Sequence, residues 1–254
     1  MKNNNDSHNK LESCERMTLG HAQEIVEIEH MERYKFIAPL VVGKVVGDIA
    51  CGSGYGSALL AKSGAQRVSG FDISDLAVAY AKANYAANNL HFLVDNAEYL
   101  ETVDDDTFDL VVSFETIEHL PNVGAYLRTL YRVLRPEGAL FVSTPDRHFS
   151  TLYYLRGRPN HPFHLREYSK KEFIGVLSQY FRVDNCYGQA YIPHPLPFWP
   201  LQVTLKASCY LLRQWGAYKF IRSIYQIGYG LQVQRSAPRW PSLARFWLAQ
   251  CTKP

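Results

Sequence analysis

Two clusters in this sequence have residue types and spacings that could do chemistry. The first is Asp48-Ile49-Ala50-Cys51-Gly52-Ser53-Gly54-Tyr55-Gly56, where three glycines spaced two apart follow an apolar run from Val45. Missing side chains let a ligand lie on the backbone, and glycine tolerates the positive φ that a tight turn needs. A dinucleotide-binding turn would place its third glycine where Ser57 stands, and Asp48 would repel a pyrophosphate. A carboxylate at that point suits a cationic or amine-bearing ligand.

The second cluster is Glu115-x-x-Glu118-His119, three ligand-capable side chains within five residues. On a strand-to-helix turn they can converge on one ion, and carboxylate oxygens with an imidazole suit Mg2+, Mn2+ or Zn2+. The alternative is that Glu118 and His119 only cap the helix that follows.

Both clusters need strand ends to hold them. Apolar runs at 45–49, 67–72, 91–94, 108–114, 139–144 and 181–187 read as strands. Between them, helical patterns open near Ser57, after a Ser74 cap and running to about Ala87, from Val123 to Leu134, and after a Ser169 cap to about Gln179. Arg135-Pro136-Glu137-Gly138 reads as the stop of the third of these, and an amphipathic helix from Glu24 to Ala38 leads into the first strand. Strands alternating with helices predict an open, mostly parallel α/β sheet.

Asp48-x-x-x-Gly52-x-Gly54-x-Gly56 resembles the first motif of class I S-adenosylmethionine-dependent methyltransferases, and Leu134-Arg135-Pro136-x-Gly138 before a strand is typical of the same family. The resemblance implies a Rossmann-like seven-stranded sheet whose last strand, near 245–253, inserts antiparallel. It implies S-adenosylmethionine on the Gly52, Gly54 and Gly56 turn. Asp72, sixteen residues after Gly56, would take the ribose diol at the end of the second strand. Further cofactor contacts are implied for Asp48, Ile73, Phe114 and Tyr34. Asp95-Asn96-Ala97 aligns with an adenine-reading Gly-Asp-Ala, and the Asn96 carbonyl can still accept from the adenine amino group.

Glu-x-x-Glu-His also resembles the metal motif of small-RNA 2′-O-methyltransferases and of ubiquinone-pathway O-methyltransferases. In the RNA enzymes a His precedes a Glu-aromatic-Ser/Thr-basic segment, which puts His164 of His164-Leu165-Arg166-Glu167-Tyr168-Ser169-Lys170 in the fourth ligand position, with His161 as its competitor. The implied set is Glu115, Glu118, His119 and His164. A cation there would hold vicinal hydroxyls and lower the pKa of the one attacked; without it, His119 or His164 would be the general base. Glu15-Arg16-Met17 and Glu29 to Tyr34 resemble the entry segment of bacterial sugar-modifying methyltransferases. The expected activity is O-methylation of a sugar hydroxyl, with a quinone, phenolic or RNA acceptor as the alternatives.

With 254 residues, 47% of them hydrophobic, the chain is long enough for one large domain with an embellishment. Polar, Asn-rich residues 1–10 predict no signal peptide, residues 1–14 are expected to be disordered, and no apolar window suits a spanning helix. Five scattered cysteines without a Cys-x-x-Cys pair predict reduced thiols and a cytoplasmic setting. After Asp184 there are eight basic residues and no acidic one, so this tail is +8 and the rest, against a total of +3, is −5. The organisation predicted is a core over 15–188, a helical cap over 189–243 inserted between strands six and seven, and a last strand in 244–254. Four prolines at 193, 195, 197 and 200 lead into the cap. Its dispersed cations, Arg213, Lys219 and Arg222 among them, favour a cover over the acceptor pocket or contact with an anionic membrane surface over tracking of nucleic acid.

Overall fold

The computed structural model describes residues 24–149, 163–193, 233–234 and 242–254. In chain order the helices are α1 (Glu24–Ile37), α2 (Tyr55–Lys62), α3 (Asp75–Asn84), α4 (Val123–Val133) and α5 (Lys170–Leu177). The strands are β1 (Val45–Ile49), β2 (Arg67–Asp72), β3 (Leu90–Val94), β4 (Phe108–Phe114), β5 (Leu134–Pro145), β6 (Arg182–Gln189), β7 (Ile192–Pro193), β8 (Val233–Gln234), β9 (Ser242–Leu243) and β10 (Phe246–Thr252).

One sheet has the order β3-β2-β1-β4-β5-β10-β6-β8. Strands β3 to β5 pair in parallel, and β10 inserts antiparallel between β5 and β6. Every residue of β1 is buried, as its run of apolar residues around Gly47 and Asp48 requires for a central strand covered on both faces. Tyr126, Leu127 and Leu130 of α4 and Phe173 and Leu177 of α5 cover one face; Tyr34 and Ile37 of α1, Leu60 of α2 and Val78 and Ala81 of α3 cover the other. Local chemistry starts the helices, with the Ser74 and Ser169 caps as expected and Asn122 as an additional one. Ser74 accepts from the Ala77 amide, Asn122 from the Ala125 amide, and Ser169 and Glu172 form a reciprocal capping box. Because β1 has β2 on one side and β4 on the other, the strand order reverses there, and the crevice beyond the carboxyl ends of β1 and β4 is where such sheets bind ligands.

Three expectations are corrected. Among the described residues the sheet has eight strands instead of seven, because Val233 and Gln234 pair antiparallel with Gln189 and Gly188 and add an edge strand. Helix α2 opens at Tyr55, two residues before Ser57, since Gly54 at φ 84° turns the chain as its N-cap. The Arg135-Pro136-Glu137-Gly138 segment does not separate helix from strand. It lies inside β5, where the Glu137 amide bonds the Lys253 carbonyl, the Lys253 amide bonds that of Gly138, and the register against β4 shifts between Phe108 and Leu110.

Most of the segment expected as a helical cap, including Arg213, Lys219 and Arg222, lies outside the described residues, as do Glu15-Arg16-Met17 and His161. Its described parts are the short strands β7, β8 and β9, of which β7 and β9 pair with each other. Cys51, Cys186 and Cys251 are free thiols. No helix among the described residues is long and apolar enough to cross a membrane.

Candidate functional site

The glycine turn leaves the end of β1 and is braced from the end of β2. Asp72 accepts from the Gly52 amide at 3.0 Å and from the Ser74 amide at 2.9 Å, so one carboxylate fixes both the turn and the start of α3. The three glycines have different reasons. A Cβ on Gly52, at φ +56°, would meet nothing within 4 Å, so this residue faces open space. A Cβ on Gly54 would stand 2.6 Å from that of Ala81, and one on Gly56 would collide with the Tyr34 ring. Only the first glycine is therefore an open cradle; the other two let α3 and α1 pack.

Asp48 is wholly buried and offers its carboxylate inward, which corrects its expected place against a cationic ligand. It accepts from Ser57 Oγ at 2.6 Å and from the Tyr34 hydroxyl at 3.1 and 3.2 Å. Burial pushes its pKa up to about 7, with Asp72 adding to the rise and the Ser57 and Tyr34 hydrogen bonds opposing it. Because the unfolded group titrates near about 4, the native state keeps a proton that the unfolded chain releases, so stability is fully present below that value and falls as pH rises through about 7. Thermal melts of Asp48→Asn should show a flatter dependence over that window than those of the parent, and parallel curves would remove the assignment.

Tyr34 and Phe114, expected as cofactor contacts, are both buried, with ring centroids 4.9 Å apart. Tyr34 packs against Gly56 of the turn, and Phe114 packs on Tyr34. Ile73 follows Asp72 with its side chain 65% exposed. Beyond β3, the Asp95 carboxylate collects the Asn96, Glu101 and Thr102 amides and the Thr102 hydroxyl, while Asn96 Oδ1 accepts from the Glu98 amide. One lone pair of the Asn96 carbonyl is thus committed to the loop that ends in Ala97-Glu98.

The second cluster stands at the end of β4. One ligand atom from each of Glu118, His119 and His164 lies within 4.8 Å of the others, and the two imidazoles meet edge-on with centroids 4.8 Å apart. His119 Nδ1 lies 3.1 Å from the Phe163 carbonyl and His164 Nδ1 lies 3.0 Å from Glu167 Oε1. Nδ1–H donation to these oxygens puts the lone pair of each ring on Nε2 and fixes the ring planes, the arrangement that supports metal-binding histidines. Glu118 is fully buried; its Oε2 accepts from Thr144, while its Oε1 has no hydrogen-bond partner among the described residues. An orphaned buried carboxylate oxygen beside two oriented imidazoles fits a divalent cation. Burial and the neighbouring Glu115 push Glu118 upward in pKa, and burial pulls His119 down toward the neutral form that can coordinate.

Glu115 does not join this set. At φ 52° it turns its side chain to accept from Ser143 Oγ at 2.7 Å and to approach Arg33 at 3.8 Å. Arg33 belongs to a clasp that sequence reading missed. It donates to Gln189 Oε1 at 2.7 Å, Gln189 donates to the Glu29 carbonyl at 2.6 Å, and Arg245 pairs with the Glu29 carboxylate at 2.5 Å. The Phe246 ring lies 4.7 Å from the Arg33 guanidinium and 5.3 Å from that of Arg245. Glu29 and Arg33 sit on the helix that reads as amphipathic, and their contacts 156 or more residues away in sequence reveal the clasp.

Residues 47–142, which carry the glycine turn, Asp72 and Glu115 to His119, match the family described as Methyltransferase domain. This stretch is similar to the domains of S-adenosylmethionine-dependent methyltransferases. The match and the names of the relatives support an enzyme. A probable S-adenosylmethionine-dependent methyltransferase of Mycolicibacterium smegmatis is 35% identical over 160 residues, 63% of this chain and 60% of that protein. A ubiquinone biosynthesis O-methyltransferase of Coxiella burnetii is 35% identical over 127 residues, 48% of this chain and 53% of that one. The chain thus spans three fifths or less of the length of these curated relatives. In fold it resembles a chain of the Haloferax volcanii complex that contains the Trm112 methyltransferase activator, with TM-score 0.61, 19% identity and coverage of 90% of this chain and 91% of that one. An S-adenosylmethionine-dependent methyltransferase from Mesorhizobium loti gives TM-score 0.57 at 16% identity, covering 89% and 98%.

Proposed function

We propose that the protein is an S-adenosylmethionine-dependent O-methyltransferase that acts on a sugar hydroxyl with the help of a divalent cation held by Glu118, His119 and His164. The observation that supports this reading is the convergence of those three side chains at the end of β4, the neighbour of the strand that carries the open Gly52 turn. Gly52 would receive the cofactor backbone-first, Asp72 its ribose, and Ile73 with the Asn96–Ala97 loop its adenine. When bound, the cofactor supplies an already activated methyl group, and the cation a lowered pKa for a coordinated hydroxyl. The chain's own residues then orient the acceptor behind the methyl group and exclude water. Glu115, held by Ser143 and Arg33, borders the cation set as an orienting carboxylate.

A second reading, methylation of a quinone or phenolic hydroxyl, draws on the Coxiella burnetii relative. Labelled S-adenosylmethionine offered with glycans and nucleotide sugars on one side and catechols on the other, with and without chelator, tests both. Transfer to a sugar, lost on chelation and restored by Mg2+, Mn2+ or Zn2+, is expected. Transfer to catechols alone would replace the first reading by the second, and transfer indifferent to chelation would remove the cation.

A further inference from the structure

Among the described residues, strand β3 ends the large sheet on one side and pairs with β2 alone, apart from a single bridge from Leu90 to Ala87. The Val68 amide bonds the Asn89 carbonyl and the Asp95 amide bonds the Asp72 carbonyl, so the odd-numbered residues turn their backbone groups toward β2. By parity, the N–H and C=O of Phe92 and Val94 face outward. Sheet edges are ordinarily blunted by lysine, proline or a bulge. Leu90-His91-Phe92-Leu93-Val94 has none of these: it contains neither residue, and its register with β2 is uninterrupted.

A groove of about 810 Å³ runs along this edge, lined by β3 together with Arg67, Lys82 and Tyr85. It shares no residue with the Glu118–His119–His164 cluster. No carboxylate lines it, and among the described residues neither Arg67 nor Lys82 has an ion-pair partner, whereas Arg132, Arg135, Arg147 and Arg182 each pair with an acid.

We propose that this edge docks an extended, acidic segment of a partner protein, which adds a strand beside β3 and sets its acids against Arg67 and Lys82. Main-chain bonds to Phe92 and Val94 supply the attachment and the two cations the choice of partner. A second copy of this chain would bring the same two cations against themselves, which opposes association. None of this chain's own undescribed segments is net acidic. Residues 1–23 carry three acids (Asp6, Glu12, Glu15) against three bases (Lys2, Lys10, Arg16), and every segment after Asp184 lacks acids.

A short synthetic peptide alternating valine and glutamate, and its valine–lysine counterpart, probe the edge by fluorescence anisotropy at low salt, with amide hydrogen exchange read at Phe92 and Val94. Saturable binding of the acidic peptide, protection of both amides, and at least a tenfold loss of affinity in Arg67→Glu/Lys82→Glu are expected. Both substituted residues are exposed, so circular dichroism should show the fold retained. Absence of binding, equal binding of the two peptides, or binding without protection of Phe92 and Val94 overturns the proposal. So does a dimer in ultracentrifugation whose formation protects the same amides, which would give the edge to a second copy.

Discussion

Glu118→Gln and His164→Ala are each expected to lower methyl transfer by about 100-fold or more, roughly 2.7 kcal/mol of transition-state stabilisation, with loss of divalent-ion affinity in calorimetry. Each removes one of the three side chains that converge at the end of β4, and Glu118 is the only carboxylate among them. The two variants should part in stability. Glu118 is buried with one oxygen unpartnered and faces repulsion from Glu115, so its charge disfavours the ion-free fold. The ion-free Glu118→Gln protein should therefore melt no lower than the parent. His164→Ala also loses the contact to Glu167, a buried carboxylate, and should melt lower. Full activity in either variant would mean that the cluster only fixes the loop before α5.

Asp72→Ala is expected to weaken S-adenosylhomocysteine binding by more than tenfold in calorimetry, about 1.4 kcal/mol. Two effects add. The carboxylate would hold the ribose diol, and it already holds the Gly52 and Ser74 amides that shape the turn. Asp72→Asn separates them, because an amide oxygen can still take one of the backbone amides without the charge. Affinity unchanged in both would place the cofactor elsewhere on the sheet edge.

The parts of this architecture legible in the sequence are those set by local signals. Apolar runs gave the parallel strands, and Ser74 and Ser169 marked helix starts, because strand burial and capping depend on near neighbours. Glu118 and His119 were legible because they are adjacent on one turn. His164 was reached through family resemblance, since nothing near it in sequence betrays the cluster. Glu115 misled. Its residue type suits a ligand, but φ 52° swings it toward Ser143, and backbone hand at a strand end leaves no mark in composition. Asp48 misled for the opposite reason: a carboxylate before a glycine turn reads as facing a ligand, whereas Ser57 and Tyr34 close over it. Gly56, placed by the same reasoning against the cofactor, also makes room for a tyrosine more than twenty positions upstream.

The clasp between α1 and the β6 and β10 strands has a consequence for synthesis of the chain. Glu29 is made early and Arg245 late, and the pair closes a sequence gap of 216 residues. Until Arg245 and Phe246 emerge, Glu29 has only Arg33 of its own helix and lacks the stronger of the two guanidiniums that offset its burial, and β5 and β6 have no strand between them. A nascent chain up to Gln189 can form the β1 turn and its flanking helices, yet it exposes the open edge of β5, a template for wrong pairing. The β5–β10–β6 half of the sheet is therefore completed last, and a chain halted before Arg245 would hold an unpaired β5 edge at the place where β10 must insert.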